Sequence, residues 1–482
     1  MQALLRLLTC DALPLIEPED EDIPSDARKL TTSNMSATTG NMDAVAFVPE
    51  TSGPSTARIS LHGPRLPGGR KFLGGAFTAD GQWLIGVPAC TRHVIRLEVA
   101  TGAVSTLPGG EGRIPHGKFK WLRGIRARDG SVFCIPACGN GVLRISPAGE
   151  VSIIGAGTLP RDEWLWHGGA LAPDDCIYCI PANAPRVLRI DTVACTVSLI
   201  GPVLQPGVRN KWYGGIKAHD GSIWGMPYNA SSLLKIVPST GEVLELGDFG
   251  VGTGEPGCET GWKWHGGSRS GEYIIGIPSH AKRVLRIAPG GGPGGSDRID
   301  QLGGPYEGRY KWGGATTDRE GVVWAIPSDV DYALRIDPLR GEVESLHLPA
   351  DHSAGWKNKW QGGVLGVDGN VYCIPCDASR VLAILPASRA LQLLGQLSDT
   401  KKKFQGGAAA PDGTIWGLPE SSEHILRIDV LGGTAPAQVP YQPPCETPLW
   451  VGGPRTGPHP QQAEADPPAT TPSVPESMSR EP

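Results

Sequence analysis

Lys211-Trp212-Tyr213-Gly214-Gly215 leads through Asp220-Gly221 into Ile223-Trp224-Gly225-Met226-Pro227, then to Leu233-Leu234-Lys235-Ile236 and Gly241-Glu242-Val243. The same order recurs eight times between Lys71 and Val439. Its prolines fall at Pro88, Pro136, Pro181, Pro227, Pro278, Pro327, Pro375 and Pro419, a spacing of 44 to 51 residues. A period of that size marks a repeat architecture. Each unit carries four short β-like runs. In the seventh, Lys359 to Leu365 turns at Asp368-Gly369-Asn370, a hairpin signal because such turns need positive φ. Val371-Tyr372-Cys373-Ile374 returns and stops at Pro375, which cannot donate to a ladder; Val381 to Leu385 and Leu391 to Gly395 follow. Several runs are almost wholly apolar, as strands covered on both faces should be.

These features predict an all-β chain folded as a closed β-propeller of four-stranded blades, with eight full repeats. Ala46-Phe47-Val48-Pro49 and Ala57 to Leu61 resemble later strands of a unit without its first, whereas Leu449-Trp450-Val451-Gly452-Gly453 resembles a first strand alone. Combined, they would build a ninth blade from both termini and remove exposed sheet edges; eight and nine both stay open. The expected organisation is an acidic, then Ser/Thr-rich disordered segment over 1–42, the propeller over 43–453, and a disordered Pro-rich tail over 454–482.

Net charge is −5 over 482 residues, so no general attraction to nucleic acid or anionic membrane is expected. No apolar run approaches the ~20 residues of a membrane span. Met1 to Cys10 has Arg6 inside its apolar stretch and Asp11 directly after it, unlike a secretory signal. The eleven cysteines fall mostly in strand positions, which fits a reduced, cytoplasmic setting and a monomer. Cys134, Cys179 and Cys373 share one repeat position, so Cys176-x-x-Cys179 and Cys373-x-x-Cys376 read as buried strand residues rather than metal ligands.

The third run carries a basic residue in seven of eight units (Arg96, Arg144, Arg189, Lys235, Arg286, Arg335 and Arg427), read as bridges to neighbouring blades. Trp121, Trp166, Trp212, Trp264 and Trp360, with Phe72 and Phe404, read as wedges between blades. Function should lie where units differ. Just before Gly-Gly stand Leu73, Leu122, His167, Tyr213, His265, Gln361 and Gln405; the second unit has Arg123 for the first Gly, and the sixth is one residue short. Two residues past each proline stand Cys90, Cys138, Asn183, Asn229, His280, Asp329, Asp377 and Ser421. Both series turn polar through the middle units. The expectation is a ligand site at the top-face channel mouth formed by His167, Tyr213, His265, Gln361, Gln405, Asn183, Asn229, His280, Asp329 and Asp377. Lys211 and Lys263, at the heads of their first runs with Lys71, Lys359 and Lys403, would add positive charge there.

The phrases Lys-Trp-x-Gly-Gly, Asp-Gly-x-Ile-Trp and Leu-Arg-Ile-Asp resemble a propeller repeat abundant in algae and other protists. From the Asp-Gly turn to Gly-Glu-Val, the unit also resembles repeats of streptogramin (virginiamycin B) lyase and, more distantly, gluconolactonase-like propellers. That resemblance implies a divalent metal with a central His and Glu. His167 or His265 stands where the histidine would, and no inner-strand Glu matches the second role. The reading of the residues is therefore a non-enzymatic platform, without cofactor, for a protein partner or a small polar or anionic ligand. The alternative is a metal-assisted lyase or lactonase.

Overall fold

A computed structural model of the chain describes residues 57–431 apart from 108–109, 111, 251–260 and 351–354. Every regular element but one 3-10 turn, Pro293–Gly295, is a strand. The fourth repeat shows the pattern: Trp212–Lys217, Ile223–Pro227, Leu233–Val237 and Glu242–Leu246 pair antiparallel in chain order. Six four-stranded sheets and one eight-stranded sheet, whose two four-stranded halves join at Gly168 and Gly214, make eight blades among the described residues. First strands of consecutive blades contact one another, for example Phe72–Phe77 with Trp121–Arg126, and Trp166–Leu171 with Trp212–Lys217. They therefore line the axis, and the polar fourth strands lie outermost. Gly168 pairs with Gly214 of the next blade at φ +92°, where a Cβ would collide with the Gly214 carbonyl.

The eighth blade draws on both ends of the described chain. Ala57–His62 pairs antiparallel with Ile425–Val430, from Ala57 opposite Val430 to His62 opposite Ile425. Thus Ala57–His62 is the outer strand of the eighth blade and not the third strand of a ninth, which corrects that expectation. The pairing satisfies an edge otherwise open to other chains. Phe47 and Trp450, like segments 1–42 and 454–482, lie outside the described residues. Among the described residues the first strand of this blade is reduced to Ala408–Ala409 with an isolated Phe404–Pro419 bridge.

One hydrogen bond repeats between blades. The N–H of the residue before the repeated Trp or Phe donates to the carbonyl just past the preceding blade's proline. Lys120, Leu165, Lys211, Lys263, Lys311, Lys359 and Lys403 donate to Ala89, Ala137, Ala182, Tyr228, Ser279, Ser328 and Cys376 at 2.8 to 3.3 Å. Lys71 donates to Glu420 at 2.9 Å, linking the eighth blade to the first and completing a cycle. Phe72, Leu84 and Ile95 also share a buried cluster with Trp416, Leu418 and Ile425 across this junction.

The repeated indoles are buried, and each pins its own blade. Trp121, Trp166, Trp212, Trp264, Trp312 and Trp360 donate Nε1–H to the carbonyls of Gly141, Arg186, Ser232, Arg283, Tyr332 and Arg380 at 2.5 to 3.0 Å. The third-strand cations mostly stay within their blade, contrary to expectation. Arg96, Arg144, Lys235, Arg286 and Arg427 lie over Trp83, Phe133, Trp224, Tyr273 and Trp416. Strand pairing sets these ring and charge neighbours opposite each other. Lys235 to Asp297 and Arg286 to the Pro338 carbonyl do cross between blades. Trp212→Phe, the residue type used in the first and eighth blades, should preserve the fold but lower stability by about 1–2 kcal/mol. The urea unfolding midpoint measures this; an unchanged midpoint would show that the Ser232 bond contributes nothing.

Candidate functional site

The residue heading each first strand is preceded by one in the left-handed region: Arg70, Phe119, Trp164, Asn210, Trp262, Tyr310, Asn358 and Lys402, with φ from 47° to 55°. Non-glycine residues pay roughly 1–2 kcal/mol there, so eight repetitions demand compensation. It comes from the preceding blade. Asn183, Asn229, Asp329 and Asp377 each offer Oδ1 to the N–H of Asn210, Trp262, Asn358 and Lys402, at 2.7 to 2.9 Å. The Cys90 sulfur accepts from the Phe119 N–H at 3.4 Å. These side chains, read from sequence as ligand contacts, thus bridge blades with one polar atom. Asp377→Asn, copying the fourth blade, should keep stability, whereas Asp377→Ala should cost about 1–2 kcal/mol; equal denaturation midpoints for the two variants would show that the carboxylate does not hold Lys402.

The lysines do not stand at the solvent rim. Lys71, Lys120, Lys211, Lys263, Lys311, Lys359 and Lys403 are all buried. Lys211 Nζ donates to Ala182 and Ala184 carbonyls at 3.0 and 2.9 Å, and Lys263 Nζ to Gly250 at 2.8 Å. Lys311 reaches Ser279 and Gly308, Lys359 the Asp331 carboxylate, and Lys71 the Gly68 carbonyl. Burial pushes Lys71, Lys120, Lys211, Lys311 and Lys403 down to about 8. Lys211 and Lys263 are structural clamps in this geometry, with their charge spent on carbonyls.

What remains at the mouth is a buried polar arc one position further in. His167 stacks on Tyr213 at 3.9 Å, Tyr213 meets Tyr228 at 4.3 Å and His265 at 5.2 Å, and Tyr228 lies 5.3 Å from Trp262. Trp262 and Tyr310 then flank His280, at 5.7 and 4.6 Å. Of the sequence candidates, the structure brings His167 and His265 against Tyr213, and links His280 to them through Tyr228 and Trp262. Gln361 and Gln405 stand on the seventh and eighth blades; a Cβ at Gly313 would lie 3.1 Å from Gln361 Oε1, so this amide occupies space left by the short sixth repeat. On the first and second blades Leu73, Ala89, Leu122 and Ala137 form an apolar cluster against Phe119 and Trp164.

Three of these buried side chains lack a full set of partners among the described residues: His167 at both ring nitrogens, and Gln361 and Gln405 at Oε1. Burial, with lesser contributions from His265 and Arg123, holds His167 well below the usual imidazole range; only its own backbone opposes this. Burial raises Glu420 to about 7, although Lys402 and the nearby Gln405 amide favour its charged form. Glu420 has a sequence signal in the residue one past each proline, which reads Ala89, Ala137, Ala182, Tyr228, Ser279, Ser328, Cys376 and Glu420 and is a carboxylate in the eighth unit alone. No group of three His, Cys, Asp or Glu suited to a metal occurs among the described residues. Cys134, Cys179 and Cys373 are buried strand residues with thiols pushed up by desolvation.

Because Glu420 binds its proton more tightly folded than unfolded, its contribution to stability is full below about 4.5 and lost as pH rises through about 7. The stability difference between the chain and Glu420→Gln should therefore move against the wild type from pH 5 to pH 8. Denaturation midpoints across that range measure it, and a pH-independent difference would show an unperturbed carboxyl.

No protein-family profile and no curated protein matches the chain in sequence. Among solved structures, a streptogramin B lyase aligns at 14% identity over 77% of this chain and 98% of its own, with a TM-score of 0.49. The virginiamycin B lyase of Staphylococcus aureus aligns at 14% identity over 78% of this chain and 100% of its own, TM-score 0.48. Kuenenia stuttgartiensis hydrazine synthase aligns at 13% identity over 76% and 97%, TM-score 0.43. Among the described residues, no helix is long and apolar enough to cross a membrane.

Proposed function

We propose that this propeller is a non-enzymatic platform that takes a small polar ligand at the top-face channel mouth. The observation that carries the reading is the set of buried polar atoms for which the described residues supply no partner: both His167 nitrogens and the Gln361 and Gln405 oxygens. Folded proteins pair nearly all such groups, and leaving one unpaired costs about 1–3 kcal/mol. His167, Gln361 and Gln405 share one repeat position, just before Gly-Gly, where an outside partner could complete them. They stand beside aromatic and apolar surface, the usual composition of a small-molecule site. A protein partner would also meet this face, but the most deeply buried orphan atoms favour a molecule small enough to enter.

The test is a thermal-stability screen across neutral sugars, amides, amino acids and divalent metals. A binding compound raises the midpoint in proportion to the logarithm of its concentration over its dissociation constant. Gln361→Ala and Gln405→Ala should weaken a genuine mouth ligand about tenfold or more, one lost hydrogen bond to a buried group each. Hits unaffected by both changes would place binding elsewhere. A divalent ion that copurifies with the chain and is lost from the His167→Ala, His265→Ala double variant would replace this reading with the metal-assisted lyase or lactonase.

A further inference from the structure

Arg123 is the one non-glycine at the first position of the Gly-Gly pair among the complete repeats. It holds φ 52°, a conformation that suits the glycine it replaces, and its side chain is only 4% exposed. The guanidinium reaches across the inner strands from the second blade to the fourth, with Nη1 3.4 Å from the Gly214 carbonyl. No carboxylate pairs with it among the described residues, and its Nε has no partner. Burial alone pulls it down to about 10, still charged at neutral pH. Gly168, the residue after His167, pairs with this same Gly214, and His167 is 5% exposed with both nitrogens unpartnered.

A buried, unpaired guanidinium is among the costliest arrangements a fold can keep, because desolvation removes hydration without a counter-charge. The strained backbone adds to that cost. Nothing in the repeat requires it, since glycine serves the other seven blades. We infer that the axis between the second and fourth blades binds one small monovalent anion, held by the Arg123 guanidinium and an N–H of His167. The inference rests on the proposed ligand mouth and narrows it to a charge class. One formal positive charge is present, as the buried imidazole is kept neutral by desolvation and by Arg123 itself. One negative charge balances it; a phosphate dianion would leave an excess buried charge. Guanidinium forks suit a halide or a carboxylate end alike, so the size of the anion is a matter for the test.

The experiment uses the full chain at constant ionic strength, with sodium chloride or sodium formate replacing sodium gluconate, and sodium phosphate as a third arm. Chloride or formate should raise Tm saturably, by roughly 3 °C at a hundredfold excess over the dissociation constant. Arg123→Gly, which restores the glycine of the other blades, should fold and lose that response; Arg123→Lys should keep part of it. Response to chloride identifies a halide-sized site, and response to formate alone a carboxylate site. The same anion response in Arg123→Gly, no saturable response in the wild type, or a stronger response to phosphate would overturn the inference. A neutral compound that still stabilises Arg123→Gly in gluconate would leave the ligand-platform reading standing when the anion site fails.

Discussion

The fold depends on one hydrogen bond made eight times: a strand-heading N–H given to the carbonyl just past the previous blade's proline. Blades made only of antiparallel strands have nothing in their own ladders to fix the angle or distance to a neighbour. This bond, with the carbonyl cradles around the neighbouring lysine ammoniums, does so at the crowded end of the ring. Its eighth copy, Lys71 to Glu420, joins segments distant in sequence. The outer strand Ala57–His62 joins them again on the rim. The eighth blade is thus held at two radii, although Ala408–Ala409 is short and its Phe404 makes no indole hydrogen bond.

The lysines show how a charge becomes architectural. An ammonium taken out of water is destabilising unless several oxygens replace its hydration. At the mouth those oxygens are available, because each strand-two proline ends a ladder and leaves carbonyls unpaired. Lys120 collects three of them, from Ala89, Thr91 and Gly117, at 2.8 to 3.1 Å. Charge-assisted hydrogen bonds of this kind contribute more than neutral ones, so the proline and the lysine are two halves of one device. That explains why both recur in the repeat.

The architecture was legible because it is periodic. Proline spacing, Asp-Gly turns and apolar runs gave blade and strand order, and the N-terminal Ala57-Arg58-Ile59-Ser60-Leu61 was visible as a stray strand. Its place was not, since a run of five alternating residues fits a third or a fourth strand equally; only pairing with Ile425–Val430 decides. Site residues were legible in part. His167 and His265 do meet Tyr213, and His280 is linked to them through Tyr228 and Trp262. Asn183, Asn229, Asp329 and Asp377 vary in the same way for another reason: any short side chain with an acceptor can cap the next blade's left-handed N–H. Variation therefore marked two different things, a polar and aromatic arc and a set of equivalent caps, and sequence alone does not separate them. The left-handed residues gave little signal, because only Asn210 and Asn358 are of a type that favours positive φ, and the other six are arginine, phenylalanine, tryptophan, tyrosine or lysine.

This division of labour explains where the mouth can diversify. Backbone bonds, caps and lysine clamps hold each blade without using the side chain before Gly-Gly or the one just past the proline. Those two positions face each other across a blade, as Leu73 with Ala89 and Tyr213 with Tyr228 show. They can be filled as apolar plugs on the first two blades, aromatic contacts on the fourth, and polar groups on the seventh and eighth without disturbing the ring. Glu420 sits at such a position, its backbone employed in closing the cycle while its carboxyl is buried beside Gln405. Arg123 goes further and takes the place of a glycine whose freedom the repeat elsewhere retains. That substitution carries both backbone strain and charge burial at one residue, with the Gly214 carbonyl accepting from its Nη1.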